Sequence, residues 1–125
     1  MSLLTLDHAS LNGAIEQNDM LIVDLWASWC GPCRNFAPVY EQVSNETEGV
    51  TFGKFQTDAS PENEQAFMQM GFEAVPTILF FKQANLLAAI PGALPKQALR
   101  DVIDQLKAFD ISTLPAEDQA KQAAK

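Results

Sequence analysis

The stretch Met20-Leu21-Ile22-Val23-Asp24-Leu25-Trp26-Ala27-Ser28-Trp29-Cys30-Gly31-Pro32-Cys33-Arg34 governs how the rest of the chain is read. Its first seven residues form an apolar run broken only by Asp24. Such a run fits a strand covered on both faces by helices in a largely parallel sheet. Beyond the cysteines, residues 35–48 place Phe36, Val39, Tyr40 and Val43 at i, i+3, i+4 and i+7, one face of a helix, with Pro38 predicting a kink. The cysteines therefore fall between a central strand and a helix, at the helix N-terminus. Residues three apart there share a face within disulfide reach, and Pro32 is tolerated where no intrahelical N–H bond is lost.

Outward from this stretch, the apolar period changes several times without an internal repeat, as in alternating strands and helices. Residues 3–6 predict a short strand. Residues 7–18 predict a helix with Leu11, Ala14 and Ile15 on one face, Asp7 or Ser10 as its cap, and Gly13 weakening it. Residues 50–57 predict a β-branched and aromatic strand. Asp58, Ser60 and Pro61 then open a helix with Glu62 and Glu64 in its first turn, ending near Gly71. Residues 77–81 and 86–90 flank a polar turn at 82–85, a hairpin in which Asn85 takes left-handed geometry. Residues 96–109 close the pattern with Leu99, Val102, Ile103 and Leu106 on one helical face. The order βαβαβαββα implies an α/β fold over residues 1–109, a central mixed sheet of about five strands flanked by helices. Residues 110–125 read as a polar, Ala-rich tail, with Pro115 placed to start a short helix and Ile111 and Leu114 as its anchors.

Charge restricts the function. Among 125 residues, 16 acidic against 8 basic give a net charge of −8, which argues against nucleic acid, since such binders need a basic face to displace counterions. The first basic residue is Arg34, no positive segment precedes an apolar stretch, and no apolar run approaches a membrane span, so a cytoplasmic location is expected. The acids from Glu41 to Glu64, broken by Lys54, read as a solvated face. As a structural staple the two cysteines would close a very short loop, worth ~2 kcal/mol. A metal site needs about four ligands. His8 is the single histidine and no second cysteine pair exists, so no metal is expected and redox chemistry is the better reading.

A thiolate at Cys30 would face the unpaired N–H groups and positive dipole end of the following helix, which favour the anion. Cys30 is thus the expected nucleophile. Cys33, a turn further in, should stay a thiol until needed and act as the resolving cysteine, because burial disfavours its anion. Asp24 on a doubly covered strand loses hydration worth ~5 kcal/mol if ionised and unpaired. A carboxyl of raised pKa beneath the cysteines, exchanging a proton with Cys33, would account for it, with Lys54 as candidate partner and tuning charge. A purely structural Asp24–Lys54 ion pair is the alternative. His8 reads as solvated or capping, and Phe67, Met68 and Met70 as packing.

The segment from Val23 to Arg34, with Trp29-Cys30-Gly31-Pro32-Cys33 at its centre, resembles the active-site segment of the thioredoxin family. The resemblance extends to Pro38, Lys54, Asp58, the cis-proline loop Val75-Pro76-Thr77 and the loop Gly92-Ala93-Leu94, covering roughly residues 3–109. It implies a protein-disulfide reductase in which Trp29, Gly31, Pro32, Val75, Pro76 and Gly92 form a flat apolar patch around an exposed sulfur. Val75's backbone would pair with an extended substrate segment. The resemblance further implies a monomer with no bound cofactor, acting on protein disulfides and reduced by an NADPH-linked thioredoxin reductase. Pro91 departs from the family by removing an N–H from a substrate loop. The turn at Gln83-Ala84-Asn85 lacks the usual glycine, and the tail is longer than a minimal thioredoxin. Two other functions fit the same residues: a client-binding or co-chaperone module using the Trp29 and Val75 patch, and a disulfide oxidase or isomerase of an oxidising compartment.

Overall fold

The structure, a computed structural model, describes residues 3–114. Five strands, β1 (Leu4–Leu6), β2 (Met20–Trp26), β3 (Thr51–Gln56), β4 (Thr77–Lys82) and β5 (Asn85–Pro91), form one mixed sheet in the order β1-β3-β2-β4-β5. β1 and β2 flank β3 in parallel, whereas β4 runs antiparallel to β2 and β5. Helices α1 (Leu11–Gln17) and α3 (Pro61–Met70) cover one face, and α2 (Gly31–Glu46) and α4 (Lys96–Ala108) the other.

This layering follows from the two-residue period of β2. Leu21, Val23 and Leu25 pack with Leu11, Ala14 and Ile15 of α1, and Ile22 packs with Phe36, Tyr40, Val43, Leu99, Ile103 and Leu106 of α2 and α4. Both faces are covered, so the continuous apolar run is satisfied. α2 begins at Gly31, which puts Cys33 in its first turn, and it runs through Pro38. α3 begins with Ser60 accepting from Asn63 N at 3.0 Å and ends at Gly71, whose left-handed φ of 83° carries the chain out of the helix.

Four expectations are corrected. The first helix starts at Leu11 rather than at residue 7, because the Asp7 carboxylate accepts from Ala9 N and Ser10 N and closes a separate turn. The hairpin turn has only two residues, Gln83 and Ala84, with φ of 49° and 66°; the left-handed positions are theirs, not Asn85's. Asn85 instead lies at the start of β5, its side-chain amide donating to the carbonyls of Lys82 and Gln83. Met68 projects from α3 with 74% of its surface exposed, whereas Phe67 and Met70 pack against the core as expected. Asp110 caps a 3-10 turn, Ile111–Thr113, and the helix expected from Pro115 lies outside the described residues.

Sequence reading places Lys82 in a polar turn; the structure buries it. Its ammonium donates to the carbonyls of Leu106, Lys107 and Phe109 at 2.9, 2.9 and 2.8 Å, capping the C-terminus of α4.

Candidate active site

Cys30 is the N-cap of α2, in extended conformation, and its sulfur accepts from Cys33 N at 3.2 Å. Pro32 falls in the first turn, where the missing N–H leaves no helical bond unmade. Cys30 and Cys33 are joined as a disulfide, their Cα atoms 5.3 Å apart. The pair lies against Ala27, with Trp26 and Val75 alongside. Cys30 is 4% exposed and Cys33 1%, so in the disulfide form the sulfur of Cys30 is more covered than the sequence suggests. The covering group is in part the Val75 carbonyl, 3.7 Å from the sulfur. Trp29, 71% exposed, stands beside the pair with exposed Pro32 and half-buried Gly31.

The Val75-Pro76 peptide is cis, as the resemblance implies. Gly92 donates its N–H to the Pro76 carbonyl at 2.7 Å, with φ of 98°. Val75 reaches the cysteine pair directly, Pro76 follows it across the cis peptide and Gly92 is bonded to Pro76, while Trp29 precedes Cys30 and Gly31 and Pro32 open α2 immediately after it. Pro91 ends β5, paired in register with Thr77.

Asp24 is fully buried on β2, the strand that leads to the cysteine pair, and among the described residues neither carboxylate oxygen has a hydrogen-bond partner. Burial pushes its pKa up to about 7, with the Lys54 charge pulling partly back. Lys54 stands opposite Asp24 in the β2–β3 register. The alternative reading, a structural Asp24–Lys54 ion pair, is not met among the described residues: the ammonium lies over the Trp26 ring, 4.8 Å from its centroid. Such a buried pair would have to repay the desolvation of both charges.

A polar clamp on the loop before Cys30 escaped sequence reading. Ser28 donates from its N–H and its hydroxyl to the Asp58 carboxylate, and Arg34 donates to the Ser28 carbonyl at 2.8 Å. The Ser28 hydroxyl most of all, then the Ser28 N–H and a further bond from Gln56, hold the Asp58 carboxyl below its ordinary range. Asp58 appears in the resemblance, but nothing in the local sequence signals Ser28 as its partner. His8 is exposed, and its backbone N–H donates to Asn63 Oδ1 at 2.8 Å, which ties the turn before α1 to α3. No group of three or more His, Cys, Asp or Glu side chains converges as a metal-ligand set among the described residues.

A redox-capable cysteine pair at a helix start, a cis-proline loop facing it and a buried carboxyl on the preceding strand recur together in one family, and the thioredoxin family model matches residues 2–105. The chain belongs to the thioredoxin family. A putative thioredoxin 2 of Streptomyces coelicolor is 37% identical over 123 residues, covering 96% of this chain and 90% of that protein. Thioredoxin of Alicyclobacillus acidocaldarius is 36% identical over 97 residues, covering 77% of this chain and 90% of the relative. Among solved structures, Chlamydomonas reinhardtii thioredoxin f2 superposes with a TM-score of 0.77 at 27% identity, covering 87% of this chain and all of that one. This thioredoxin-family chain, with its cysteine pair in place, is a protein-disulfide oxidoreductase.

Proposed function

We propose that the chain is a general protein-disulfide reductase, reduced in turn by a flavin-dependent, NADPH-linked thioredoxin reductase. The observation that carries this reading is the placement of Cys30: N-cap of α2, sulfur on the Cys33 N–H, beside the Val75 carbonyl and exposed Trp29. The helix terminus favours a Cys30 thiolate, which attacks one sulfur of a substrate disulfide and expels the other as a thiolate. An extended substrate segment pairs with the Val75 backbone across the patch formed by Trp29, Gly31, Pro32, Pro76 and Gly92. Cys33 then loses its proton to the Asp24 carboxylate and attacks the mixed disulfide. The substrate leaves with two thiols, and Cys30–Cys33 leaves as the disulfide; two electrons and two protons have passed to the substrate.

The electrons come through soluble partners, so the chain carries no resident cofactor or metal in this reading. In this reading the chain works as a monomer in the cytoplasm, whose thiol pool keeps such pairs reducible. Residues 1–109 form the catalytic unit and 110–125 an appended tail.

Insulin reduction with NADPH and a thioredoxin reductase, compared between wild type and Cys30→Ser, tests the reading. Turnover in the wild type and none in the variant is expected. Cys33→Ser should instead accumulate a mixed disulfide with insulin, visible by intact mass. Activity retained in Cys30→Ser, or no wild-type turnover above background, overturns it.

A further inference from the structure

We propose that Trp26 is a positioning residue of the redox centre: its indole face holds the Lys54 ammonium away from Asp24 and leaves that buried carboxyl unpaired. Its meaning for catalysis rests on the reading of Asp24 as the proton relay of Cys33.

Asp24 and Trp26 are two residues apart on β2 and so project from the same face of the sheet. Lys54 on β3 is in register with Asp24, the position from which a lysine would be expected to meet the carboxylate. The ammonium lies instead 4.8 Å from the Trp26 ring centroid, within the range of cation–π attraction, and both Asp24 oxygens are without hydrogen-bond partners among the described residues. The burial gradient explains the choice. Asp24 is fully buried, whereas Lys54 and Trp26 are half-exposed. Over the indole the ammonium keeps water on its outer side; beside Asp24 it would lose that water, and desolvation would consume most of the Coulombic gain.

Among the described residues, the other groups facing Asp24 do not supply a cation. From α2 come Cys33 and Tyr40, which lie on its buried face. The Tyr40 hydroxyl bonds the carbonyls of Ile22 and Gly53 at 2.9 and 2.8 Å, and burial keeps its phenol well above its ordinary pKa, hence neutral. From β4 the registered neighbour is Ile78, and α4 brings Leu99 and Ile103 to this side of the sheet. Lys54 is thus the charge that moves the carboxyl, and the ring that anchors Lys54 controls how strongly.

Asp24 can be followed directly by carboxyl 13C NMR titration of the oxidised protein, where neither cysteine titrates. Trp26→Leu frees Lys54 to approach Asp24 and should lower the Asp24 midpoint by ~1 pH unit, a tenfold loss of proton affinity. Trp26→Phe, which keeps a weaker aromatic face in the same packing, should give a smaller shift of the same sign. Lys54→Met should raise the midpoint, and Trp26→Leu combined with Lys54→Met should match Lys54→Met alone. A midpoint unmoved in both Trp26 variants, or a shift of equal size with and without Lys54, overturns the proposal. If the midpoints move as expected while the pH profile of insulin reduction stays fixed in these variants and in Asp24→Asn, the relay reading falls and the hold of Trp26 on Lys54 stands.

Discussion

Gly92 donates its N–H to the carbonyl of Pro76 at 2.7 Å, so the loop leading to α4 is fastened to the cis-proline loop that faces Cys30. The φ of 98° at Gly92 is one that L side chains rarely adopt, although a Cβ there would meet no atom within 4 Å. The penalty of Gly92→Ala is therefore conformational and should reach about 1–2 kcal/mol in urea unfolding. Because the strained loop lies at the proposed protein-binding patch, KM for insulin should rise several-fold while a small aromatic disulfide is reduced at the wild-type rate. Equal losses on both substrates would place the damage in the sulfur chemistry instead.

Asp24 couples stability to pH. Its folded pKa of about 7 lies above the ordinary value of 3.8, so the unfolded chain releases this proton first. Stability tied to the group is full below pH 3.8, declines as pH rises, and is lost once pH passes about 7. The accumulated cost is about 4 kcal/mol. Asp24→Asn, a neutral isostere, should therefore stabilise the oxidised protein little near pH 4 and most at pH 8. Denaturation series at the two pH values check this; a gain independent of pH would mean that Asp24 is not the group held neutral by burial.

Lys82 joins two elements through one ammonium, donating to three carbonyls at the end of α4. Lys82→Met keeps the buried stem and removes the donors, leaving carbonyls of a partly buried helix end unmet. A loss of about 2–3 kcal/mol is expected, with faster amide exchange in the last turn of α4. Unchanged exchange there would show that solvent satisfies those carbonyls without Lys82.

The two-residue turn between β4 and β5 has Gln83 and Ala84 both at positive φ, the geometry for which Asn-Gly is the favoured pair. Ala84→Gly should relieve the Cβ penalty and stabilise the fold by about 1 kcal/mol, less the extra freedom that glycine confers on the unfolded chain. Thermal unfolding at fixed pH reads the difference, and a destabilised variant would show that the Ala84 methyl, which packs on the neighbouring core, outweighs the backbone term.

Much of this fold is legible in the linear chain. The apolar run of β2, the i, i+3, i+4, i+7 stripe of α2, the Ser60-Pro61 start of α3 and Gly71 at its end each rest on interactions between near neighbours, and each appears where periodicity and capping chemistry put it. Two of the errors arise where a side chain competes locally with the backbone. Asp7 closes a turn before α1 can begin, and Asn85 spends its amide on two carbonyls instead of adopting the left-handed conformation.

The cysteine pair belongs to the legible part: its spacing and its place between a strand and a helix require only local geometry to bring the two sulfurs together. Its surroundings do not. The Val75 carbonyl reaches Cys30 from 45 residues away, Asp58 grips Ser28 across 30, and Lys82 caps a helix end up to 27 residues on. Linear spacing carries no information on such contacts, because they depend on how strands are ordered and which face each side chain takes. The Lys54 ammonium shows this most plainly. Register brings it opposite Asp24, yet it rests on Trp26, since the gradient of water exposure across the sheet, a property of the packed molecule, makes the indole the better partner.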